Sequence, residues 1–587
     1  RHLLSSLDLT PANINFCGGG NMELLLPNTK NVLEWLNKFE YEINEWLLKE
    51  FKGQLALNVA KVPMFRDELN SNFGAMKNKL QNRLSLAKKH KFKEQTGSKD
   101  FWIRHEKPLS SPVRICRSCN LMQVPDSDVL CSQCSKQKKI GEVLPKTKAL
   151  LFLSGLNEKI TNIPYESITF GNFGTVYLFE RQESLKLGVN SGYAEMLSIN
   201  FEEHQSKGFY CLSNILPTAK REMVLETEKD LSSKTDYERE GRVRINQTLS
   251  FTTIAKMAEG DSKLGLLKMD VDNLGQIFSI GFHADGNIQG RPSRFLSISR
   301  VSTLSRELTY FLNGLIAWAC EQIAEKWKNN SSWGSKVGYN NSDISNIFYV
   351  VFSGGDDLFI IGPWDQIITL AHLIRSMFKD FTCHNPNFTI SAGIFICKPK
   401  YPISLAAQKV EEALERSKVR GKNRITLFGD TVSWNYEDKE KSRIFDDTIM
   451  SRYTTFESSE IGSETIHLRD KAESIEKTVV PLTRLVKFQE HLLSLYKSKK
   501  MPRGFVHRLI EGQKMFFSKT YNLDKEREEE THNAMVFPYL FYIMHRNLAP
   551  DVRQEIQQDL ITGGEAISLL RQIEIPASMF LMKTRTG

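Results

Sequence analysis

The sequence predicts a multidomain α/β (α+β) chain, and three observations support this fold class. An apolar run at 264–269 ends in two alternating carboxylates, Asp270 and Asp272, and an acidic hairpin pattern follows at 348–362. The glycine-rich part of that hairpin has a second copy near residue 18, and two Cys-x-x-Cys pairs lie between the copies. Buried-strand and amphipathic-helix periodicities alternate around these motifs, which predicts mixed sheets and helices.

Length and composition limit the class of protein. With 587 residues, the chain is expected to form about three to five domains. The net charge of +9 favours an anionic partner. No run approaches the ~20 apolar residues that span a bilayer, and the scattered cysteines suit a reducing compartment, so we expect a cytoplasmic protein with no membrane partner. The chain begins with Arg1 rather than Met, so the natural N-terminus is not on view.

A repeat organises the chain. Cys17-Gly18-Gly19-Gly20-Asn21 aligns without a gap with Ser353-Gly354-Gly355-Asp356-Asp357, and the match continues to Pro27 and Pro363. Each copy then continues with a helix, a strand and a second helix, at 30–51, 55–60 and up to Lys91 in the first, and at 364–380, 388–396 and 403–418 in the second. Two copies of one α/β unit are therefore predicted.

The second copy is the complete one. It is predicted as a strand at 264–270, helices from 273 and over 296–328, the hairpin 346–362, a helix, a strand at 388–397, a helix and a strand at 425–428. This β-α-α-β-β-α-β order is the Palm (ferredoxin-like) arrangement of nucleotide cyclases and polymerases. Only 17 residues precede the first glycine turn, so the first copy lacks the acidic strand. Because a missing strand would expose a sheet edge, we expect the chain to start inside a domain.

The acidic residues of the second copy predict a metal site. Glycines 354 and 355 allow a polyphosphate to approach the backbone, and Asp356 and Asp357 add two hard oxygen donors. Together with Asp270 they would hold one or two Mg²⁺ or Mn²⁺ ions, with the carbonyl of Val271 as a further ligand. Asp272 is expected to point to the other face of the sheet and to cap the helix that follows it. The alternative is a solvated Gly-Gly-Asp-Asp turn.

Other residues near the two turns are candidates for binding a nucleotide. Lys418 and Lys422 are predicted to clamp a triphosphate, and the alternative is a basic helix end that complements the helix dipole. Around the acidic residues, the candidate nucleotide-binding positions are Asn273, Ser353, Gly354 and Gly355. In the first copy, Gly20 and Asn21 replace both carboxylates, so no metal is expected there. The turn of Gly18, Gly19, Gly20 and Asn21 could still cradle a phosphate with backbone N–H groups.

Four cysteines predict a zinc ribbon. Cys116 and Cys119 form one Cys-x-x-Cys pair, Cys131 and Cys134 form another, and eleven residues separate the pairs. Two such knuckles close a tetrahedral four-sulfur site for Zn²⁺. Four thiolates leave no open position for chemistry, so the zinc is expected to be structural.

In combination, these motifs resemble the large signature subunit of type III CRISPR–Cas effector complexes, most closely the Csm type. The resemblance rests on the degenerate Gly18–Asn21 turn, the zinc knuckle, Asp270–Gly275, Thr303–Arg306, Gly354–Asp357 and the basic segment Lys418–Arg424. It implies two facing Palms that bind two ATP molecules and join them 3′–5′ into cyclic oligoadenylates, which activate accessory nucleases. The implied partners are a guide crRNA, a target RNA whose pairing switches on synthesis, and the other protein subunits of the complex.

The sequence departs from this family in one respect, and it suggests a set of domain boundaries. Family members commonly begin with an HD nuclease domain, but the sequence has no His-Asp dipeptide, so DNase activity is not expected of this chain. The expected domains are a first Palm at 1–100, a zinc-ribbon linker at 101–146, a small β-rich α/β middle domain at 147–248, a second Palm with the active site at 249–432, and a helical bundle at 433–587.

Two other functions are compatible with parts of the sequence. A diguanylate cyclase shares the Palm, but its signature has a glutamate after Gly-Gly-Asp, where this chain has Asp357 followed by Leu358. A catalytically inert scaffold that binds RNA is the other alternative, and the intact set of Asp270, Asp356 and Asp357 argues against it.

Overall fold

The computed structural model describes most of the chain, and its described residues form two compact units. The described residues are 2–18, 20–71, 73–97, 113–119, 122–125, 127–154, 166–179, 193–199, 209–210, 213, 215–224, 242–280, 297–434, 480–522, 527–532, 535–562 and 566–585. The first unit contains Arg1–Asn214, Asn273–Gly314 and Gly354–Asp356, and the second contains Ile215–Asp272, Leu315–Ser353 and Asp357–Gly587.

The part of the chain before residue 214 mixes short helices with short strands. Its helices are α1 (His2–Ser6), α2 (Lys30–Phe51), α3 (Arg66–Ser71), α4 (Phe73–Lys89) and α5 (Ser132–Val143). Its strands are β1 (Ile14–Gly18), β2 (Asn21–Leu24), β3 (Val113–Ile115), β4 (Gln123–Pro125), β5 (Ala149–Ser154), β6 (Glu166–Thr169), β7 (Thr175–Phe179), β8 (Tyr193–Ile199) and β9 (Phe209–Tyr210).

The part between 215 and 434 contains the repeat's complete copy. Its helices are α6 (Phe251–Lys256), α7 (Leu274–Ile280), α8 (Ile298–Tyr310), α9 (Ile316–Asn330), α10 (Trp333–Val337), α11 (Trp364–Phe381) and α12 (Ile403–Val419). Its strands are β10 (Met223–Val224), β11 (Arg242–Val243), β12 (Leu264–Val271), β13 (Tyr349–Gly354), β14 (Asp357–Pro363), β15 (Ile390–Cys397), β16 (Arg424–Leu427) and β17 (Asp430–Ser433). The predicted β-α-α-β-β-α-β order is present among the described elements, and β17 is an additional strand that the sequence did not predict.

A six-stranded sheet is the core of the second unit. Its strand order is β13-β14-β12-β15-β16-β17, so the acidic strand β12 lies at the centre, antiparallel to both neighbours. Five of the eight β12 residues are apolar and almost fully buried. Helix α12 packs closely on β15 at Gly393, where a Cβ would lie 2.4 Å from the backbone nitrogen of Leu414. The sheet therefore holds the C-terminal end of β12 in a fixed position.

The middle of the first unit is a five-stranded sheet of order β6-β7-β5-β8-β9. Ala149, Leu151 and Leu153 alternate along β5 and bury one face with Phe179. This is the period-two pattern of a half-buried strand. The prediction that this part of the chain is rich in strands agrees with the structure.

The strand predicted at 55–60 is wrong. Residues 55–60 form neither a helix nor a strand, although they follow the predicted helix α2. The amide of Asn44 on α2 both donates to the carbonyl of Leu57 and accepts from its N–H, each at 2.8 Å. Glu40 accepts from the N–H of Val59 at 3.0 Å. Side chains of α2 thus satisfy the backbone groups that a neighbouring strand would otherwise satisfy.

The C-terminal part is mostly helical, as predicted, but it also contains a hairpin. Its helices are α13 (Leu482–Lys497), α14 (Arg503–Phe516), α15 (Val536–Asn547), α16 (Pro550–Gln557), α17 (Ala566–Arg571) and α18 (Glu574–Lys583). Strands β18 (Phe517–Asn522) and β19 (Arg527–His532) pair in register from Phe517 with His532 to Asn522 with Arg527. The mixed-sign charged run 525–530, whose composition is typical of a solvated face, overlaps β19 at residues 527–530. Residues 525–526 lie outside the described residues.

Candidate active site

Two of the three predicted metal-binding carboxylates lie side by side on neighbouring strands. Asp270, near the end of β12, is opposite Asp357, the first residue of β14. Asp356 is the turn residue directly before Asp357, and it is half-buried. Val271 is the last residue of β12, pairs with Ile390 and has a buried side chain. The sheet thus brings the end of the acidic strand to the base of the acidic turn.

The glycine turn has a conformation that only glycine adopts readily. Gly354 ends β13 with φ +156°, and Gly355 follows with φ +74°. A positive φ at the first central residue is what a two-residue type II′ hairpin turn requires. A Cβ on Gly354 would lie 2.8 Å from the side-chain oxygen of Asn313, which belongs to the same unit. The double glycine is therefore needed both for the turn and for this close contact.

Asn313 is a residue of the site that the sequence did not reveal. It lies in a π-helical turn, Phe311–Leu315, between α8 and α9, and it is 6% exposed. Its side-chain oxygen is buried and has no hydrogen-bond partner among the described residues. Single π-helical turns within helices occur frequently at functional sites. In the sequence, Asn313 is a single Asn within an apolar helix pattern, and no motif spacing predicts that it lies close to Gly354.

Lys418 lies next to the acidic pair. Its ammonium Nζ is 3.2 Å from Asp270 Oδ2 and 3.2 Å from Glu415 Oε1. The Lys418 and Asp270 side chains are 26% and 23% exposed, so water screens the pair only in part. Burial alone would lower the pKa of Lys418, but the charge and hydrogen bond of Asp270, together with Glu415, raise it. Lys418 therefore stays protonated and balances the charge of Asp270.

The end of helix α12 places Lys418 there. The N–H of Lys422 donates to the carbonyl of Ser417, and the N–H of Gly421 donates to the carbonyl of Lys418. These two bonds form a Schellman motif, with Gly421 at the left-handed position and φ +115°. Lys422, the other predicted clamp, is half-buried and also left-handed, with φ +63°.

The predicted helix-capping role of Asp272 is wrong. Its side chain is 1% exposed, and its carboxylate accepts from Ser391 Oγ at 2.7 Å, Thr389 Oγ1 at 2.8 Å and the N–H of Asn423 at 2.9 Å. Period-two alternation would place Asp272 on the same face as Asp270 and does not direct it to the other face. Asp272 lies just beyond the end of β12, and its partners are Ser391 on β15, Thr389 directly before β15, and Asn423 in the turn after α12. A buried carboxylate is held more strongly by three donors than by one exposed helix end.

The remaining candidates flank this region. Asn273 is exposed and left-handed, with φ +57°, and it lies between β12 and α7. Ser353 is half-buried and precedes the glycine turn on β13. Asn273 and Ser353 are close to the acidic strand and to the glycine turn because they are adjacent to them in the sequence.

In the first copy, the hairpin is present without its carboxylates. Gly18 ends β1 opposite Asn21, which begins β2, and Gly20 between them has φ +71°. Gly19 lies outside the described residues. Both Gly20 and Asn21 are exposed. The repeat predicted from the sequence is therefore seen as a second two-stranded hairpin.

A buried ion pair supports this first hairpin, and the sequence gave no sign of it. Lys77 of α4 has a side chain only 3% exposed, and its Nζ lies 3.1 Å from Glu23 Oε1. The same ammonium lies over the rings of Phe16 and Phe278, at 5.4 Å and 4.6 Å from their centroids. In the sequence, Lys77 looks like any other residue of a basic, solvated helix.

The four predicted zinc ligands converge. The sulfur atoms of Cys116, Cys119, Cys131 and Cys134 all lie within 4.8 Å of one another. A regular tetrahedral site with Zn–S bonds of about 2.3 Å separates its sulfurs by about 3.8 Å, so the cluster fits zinc with small movements. Backbone N–H groups of Cys119 and Cys131 lower the pKa of Cys116, whereas burial raises the pKa of Cys134. The donor set fits a structural zinc.

Two family models match the parts of the chain that carry the two glycine hairpins. The second palm domain of Cas10/Cmr2 matches residues 263–426, and domain B of the Csm1 subunit matches residues 1–103. A Cas10/Csm1 of subtype III-A from Methanocaldococcus jannaschii is 28% identical over 475 residues, covering 74% of this chain and 55% of that protein. The chain is related to the Cas10/Csm1 subunits of subtype III-A CRISPR systems. The Cas10/Csm1 protein of Mycobacterium tuberculosis is 25% identical, with 74% of this chain and 50% of that protein covered.

The chain spans about half the length of these Cas10/Csm1 relatives, which are named single-strand-specific deoxyribonucleases. Solved Csm1 structures share the fold. A Csm1–Csm4 cassette with one ATP has a TM-score of 0.56 at 19% identity, covering 100% of this chain and 64% of that one. A cassette described with cA4 has a TM-score of 0.58 at 18% identity and the same coverages. Within the described part of the chain, a helix with the length and apolar character to cross a bilayer is absent.

Proposed function

We propose that this chain is a nucleotidyltransferase subunit of an RNA-guided type III-A complex and converts ATP into 3′–5′ cyclic oligoadenylates. The observation that supports the proposal most directly is the acidic pair Asp270 and Asp357, with Asp356 in the adjoining glycine turn and Lys418 on Asp270. The relatives' family, and the ATP and cA4 named with the Csm1–Csm4 structures, agree with this reading.

The carboxylates suit Mg²⁺ or Mn²⁺. Asp270, Asp356 and Asp357 supply hard oxygen donors, and the carbonyl of Val271 is a further candidate ligand. When bound, such ions would lower the pKa of the attacking hydroxyl and neutralise charge on the triphosphate. The ammonium of Lys418 lies 3.2 Å from Asp270 Oδ2, so the Asp270 carboxylate already attracts one positively charged group.

The proposed reaction is a displacement at phosphorus. The 3′-oxygen of one nucleotide forms a bond to the α-phosphorus of an ATP, the bond to the β-phosphate oxygen breaks, and pyrophosphate leaves as the hydroxyl proton is lost. The chain's own residues align the reactants. The glycine turn of Gly354 and Gly355 brings backbone N–H groups near the phosphates, and Lys418 and Lys422 offer positive charge to them. Asn273 and Ser353 are proposed as further nucleotide contacts.

Labelled nucleotides test this proposal. The full chain, assembled with guide crRNA and its partner subunits, is incubated with Mg²⁺ and either ATP or GTP, with and without target RNA. We expect cyclic adenylates from ATP only when target RNA is present. Products from GTP would favour the diguanylate-cyclase alternative, and RNA binding without any product would favour the inert scaffold.

We expect Lys418→Met to raise the KM for ATP about tenfold with a smaller effect on kcat, because one charge contact to the triphosphate is lost. Lys409→Met is the matched control, since Lys409 lies on the same helix and also pairs with a glutamate three residues away, Glu412. Steady-state kinetics with ATP measure both variants. If both substitutions raised the KM for ATP equally, the effect would come from the overall charge of α12 and not from a contact between Lys418 and the triphosphate.

The two hairpins are expected to differ in metal dependence. Because Gly20 and Asn21 replace both carboxylates, ions should bind beside Asp270, Asp356 and Asp357 and none beside Asn21. The first hairpin should still hold a nucleotide through its backbone N–H groups. A structure with ATP and Mn²⁺ checks both statements from the anomalous signal of manganese. A metal ligated by Asn21, or a first hairpin that never takes up ATP, would contradict this division.

A further inference from the structure

Asp272 is only two residues from the predicted metal ligand Asp270, yet its carboxylate already accepts three hydrogen bonds. Oδ1 accepts from Ser391, and Oδ2 accepts from Thr389 and from the backbone N–H of Asn423. A carboxylate offers about four acceptor positions, and this one is 1% exposed. These three bonds, 2.7 to 2.9 Å long, therefore take up most of the acceptor capacity of the Asp272 carboxylate.

The third of these bonds reaches the segment that carries Lys418. Asn423 follows the Schellman turn and is left-handed, with φ +49°, directly after Lys422 at φ +63°. Two successive non-glycine residues in this conformation are costly, so the turn needs support from its surroundings. Asp272 provides it by accepting the N–H of Asn423, and Arg375 of α11 donates to Asn423 Oδ1 at 3.1 and 2.8 Å.

Arg375 is half-buried and belongs to the same group of contacts. Burial lowers the pKa of its guanidinium, and the negative charge of Asp272 opposes that effect. Asn423 therefore lies between the buried carboxylate of Asp272, directly after the acidic strand, and the half-buried guanidinium of Arg375 on α11. Asp272 is two residues after Asp270, and Asn423, whose N–H it accepts, is five residues after Lys418. The contact therefore links the end of the acidic strand to the turn that follows Lys418.

We propose that Asp272 is a positioning residue that holds the turn after α12 against the acidic strand, and so sets the position of Lys418 and Lys422 relative to Asp270. The proposal rests on the proposed nucleotidyl transfer for its catalytic consequence. Its structural part, the hold on the turn, is independent of any activity. A metal ligand at position 272 would need a carboxylate, whereas a positioning residue needs only an acceptor for the N–H of Asn423.

Three variants separate these roles. Asp272→Ala removes every acceptor, whereas Asp272→Asn keeps one side-chain oxygen for Asn423 and can donate its NH₂ to Ser391. Ser391→Ala is the matched control, because it removes a donor to the same carboxylate without touching the turn. Hydrogen exchange of the peptide containing 418–424, Mn²⁺ binding without nucleotide, the melting temperature, and kcat and KM for ATP are measured on the full chain.

We expect Asp272→Ala to speed exchange in 418–424 about tenfold and to raise the KM for ATP about tenfold or more, since small misplacements of a binding group are costly. Asp272→Asn and Ser391→Ala should keep exchange within about threefold of wild type, and all three should still bind Mn²⁺. Loss of Mn²⁺ binding in Asp272→Asn, as in Asp270→Asn, would overturn the proposal in favour of a metal ligand. Equal exchange in Ser391→Ala and Asp272→Ala would overturn it in favour of general core support. If wild type makes no product, the proposed function fails, while exchange and Mn²⁺ binding still decide the role of Asp272.

Discussion

Replacing Asp356 and Asp357 together by alanine should reduce ATP turnover by at least about a thousandfold, because the site would lose two of its three candidate ligands for Mg²⁺. Both side chains are half-buried at the end of the glycine turn, so their truncation leaves no large cavity in the apolar core. Formation of labelled oligoadenylates, with target RNA present, measures the loss. The melting temperature and assembly with guide RNA should stay close to those of wild type.

Two controls sharpen this experiment. Glu412→Ala removes an exposed carboxylate that pairs with Lys409 on α12, and it should leave turnover close to wild type. Asp356→Asn with Asp357→Asn keeps the shape of the turn but removes its charge, and it should be as inactive as the alanine pair. Wild-type turnover in either double variant would eliminate this assignment of the active site.

Sequence periodicity was sufficient for the elements that bury a regular face. The alternating carboxylates after an apolar run predicted the end of β12, and the helices at 364–380 and 403–418 match α11 and α12 to within a residue. Such elements are determined locally, because a helix or central strand of this length has one pattern that buries its apolar side chains. Asp270 lies opposite Asp357 because β12 pairs with β14, the second strand of the hairpin that the double glycine predicted.

Elements whose partners are side chains could not be predicted in this way. Residues 55–60 have the composition of a strand, but the amide of Asn44 and the carboxylate of Glu40 satisfy their backbone groups. The sequence does not show that side chains take the place of a neighbouring strand as hydrogen-bond partners, since an Asn and a Glu on a helix face look like solvated residues. The short strands β17 to β19 were missed because strand propensity depends strongly on context.

The same limit applies to the site. Sequence spacing brought Asp270, Asp356, Asp357 and Lys418 into one hypothesis, but it assigned Asp272 to a helix cap. The donors that engage Asp272 are on Thr389, Ser391 and Asn423, which are more than a hundred residues away in the chain. Lys77 and Asn313 were missed for the same reason, because burial converts an ordinary polar residue into a structural one. Long-range contacts of polar groups are the part of the site that only the fold reveals.

The four cysteines of the ribbon are expected to hold one zinc ion per chain, and its loss should unfold the segment 113–143. This segment has little core of its own, since its buried apolar cluster consists of three of the four cysteines and Val124, with Cys119, Met122 and Leu130 partly buried against it. Structural zinc in small ribbons contributes about 10–16 kcal/mol of apparent binding free energy, which is more than so few contacts supply. Cys116→Ser should therefore lose zinc and become sensitive to protease within 113–143, without directly removing a candidate catalytic ligand.

Cys383→Ser is the matched control, because Cys383 is exposed and lies outside the cluster. It should bind the same amount of zinc as wild type and show the same protease pattern. Elemental analysis and limited proteolysis of chain purified without chelator measure both properties. Since the cysteines must be deprotonated to bind zinc, acidification should release the metal and expose the same cleavage sites as Cys116→Ser. Zinc-free protein with an intact ribbon would show that the cluster is held by packing and not by a metal. Equal zinc loss in Cys383→Ser would contradict the assignment of the four ribbon cysteines as the zinc ligands.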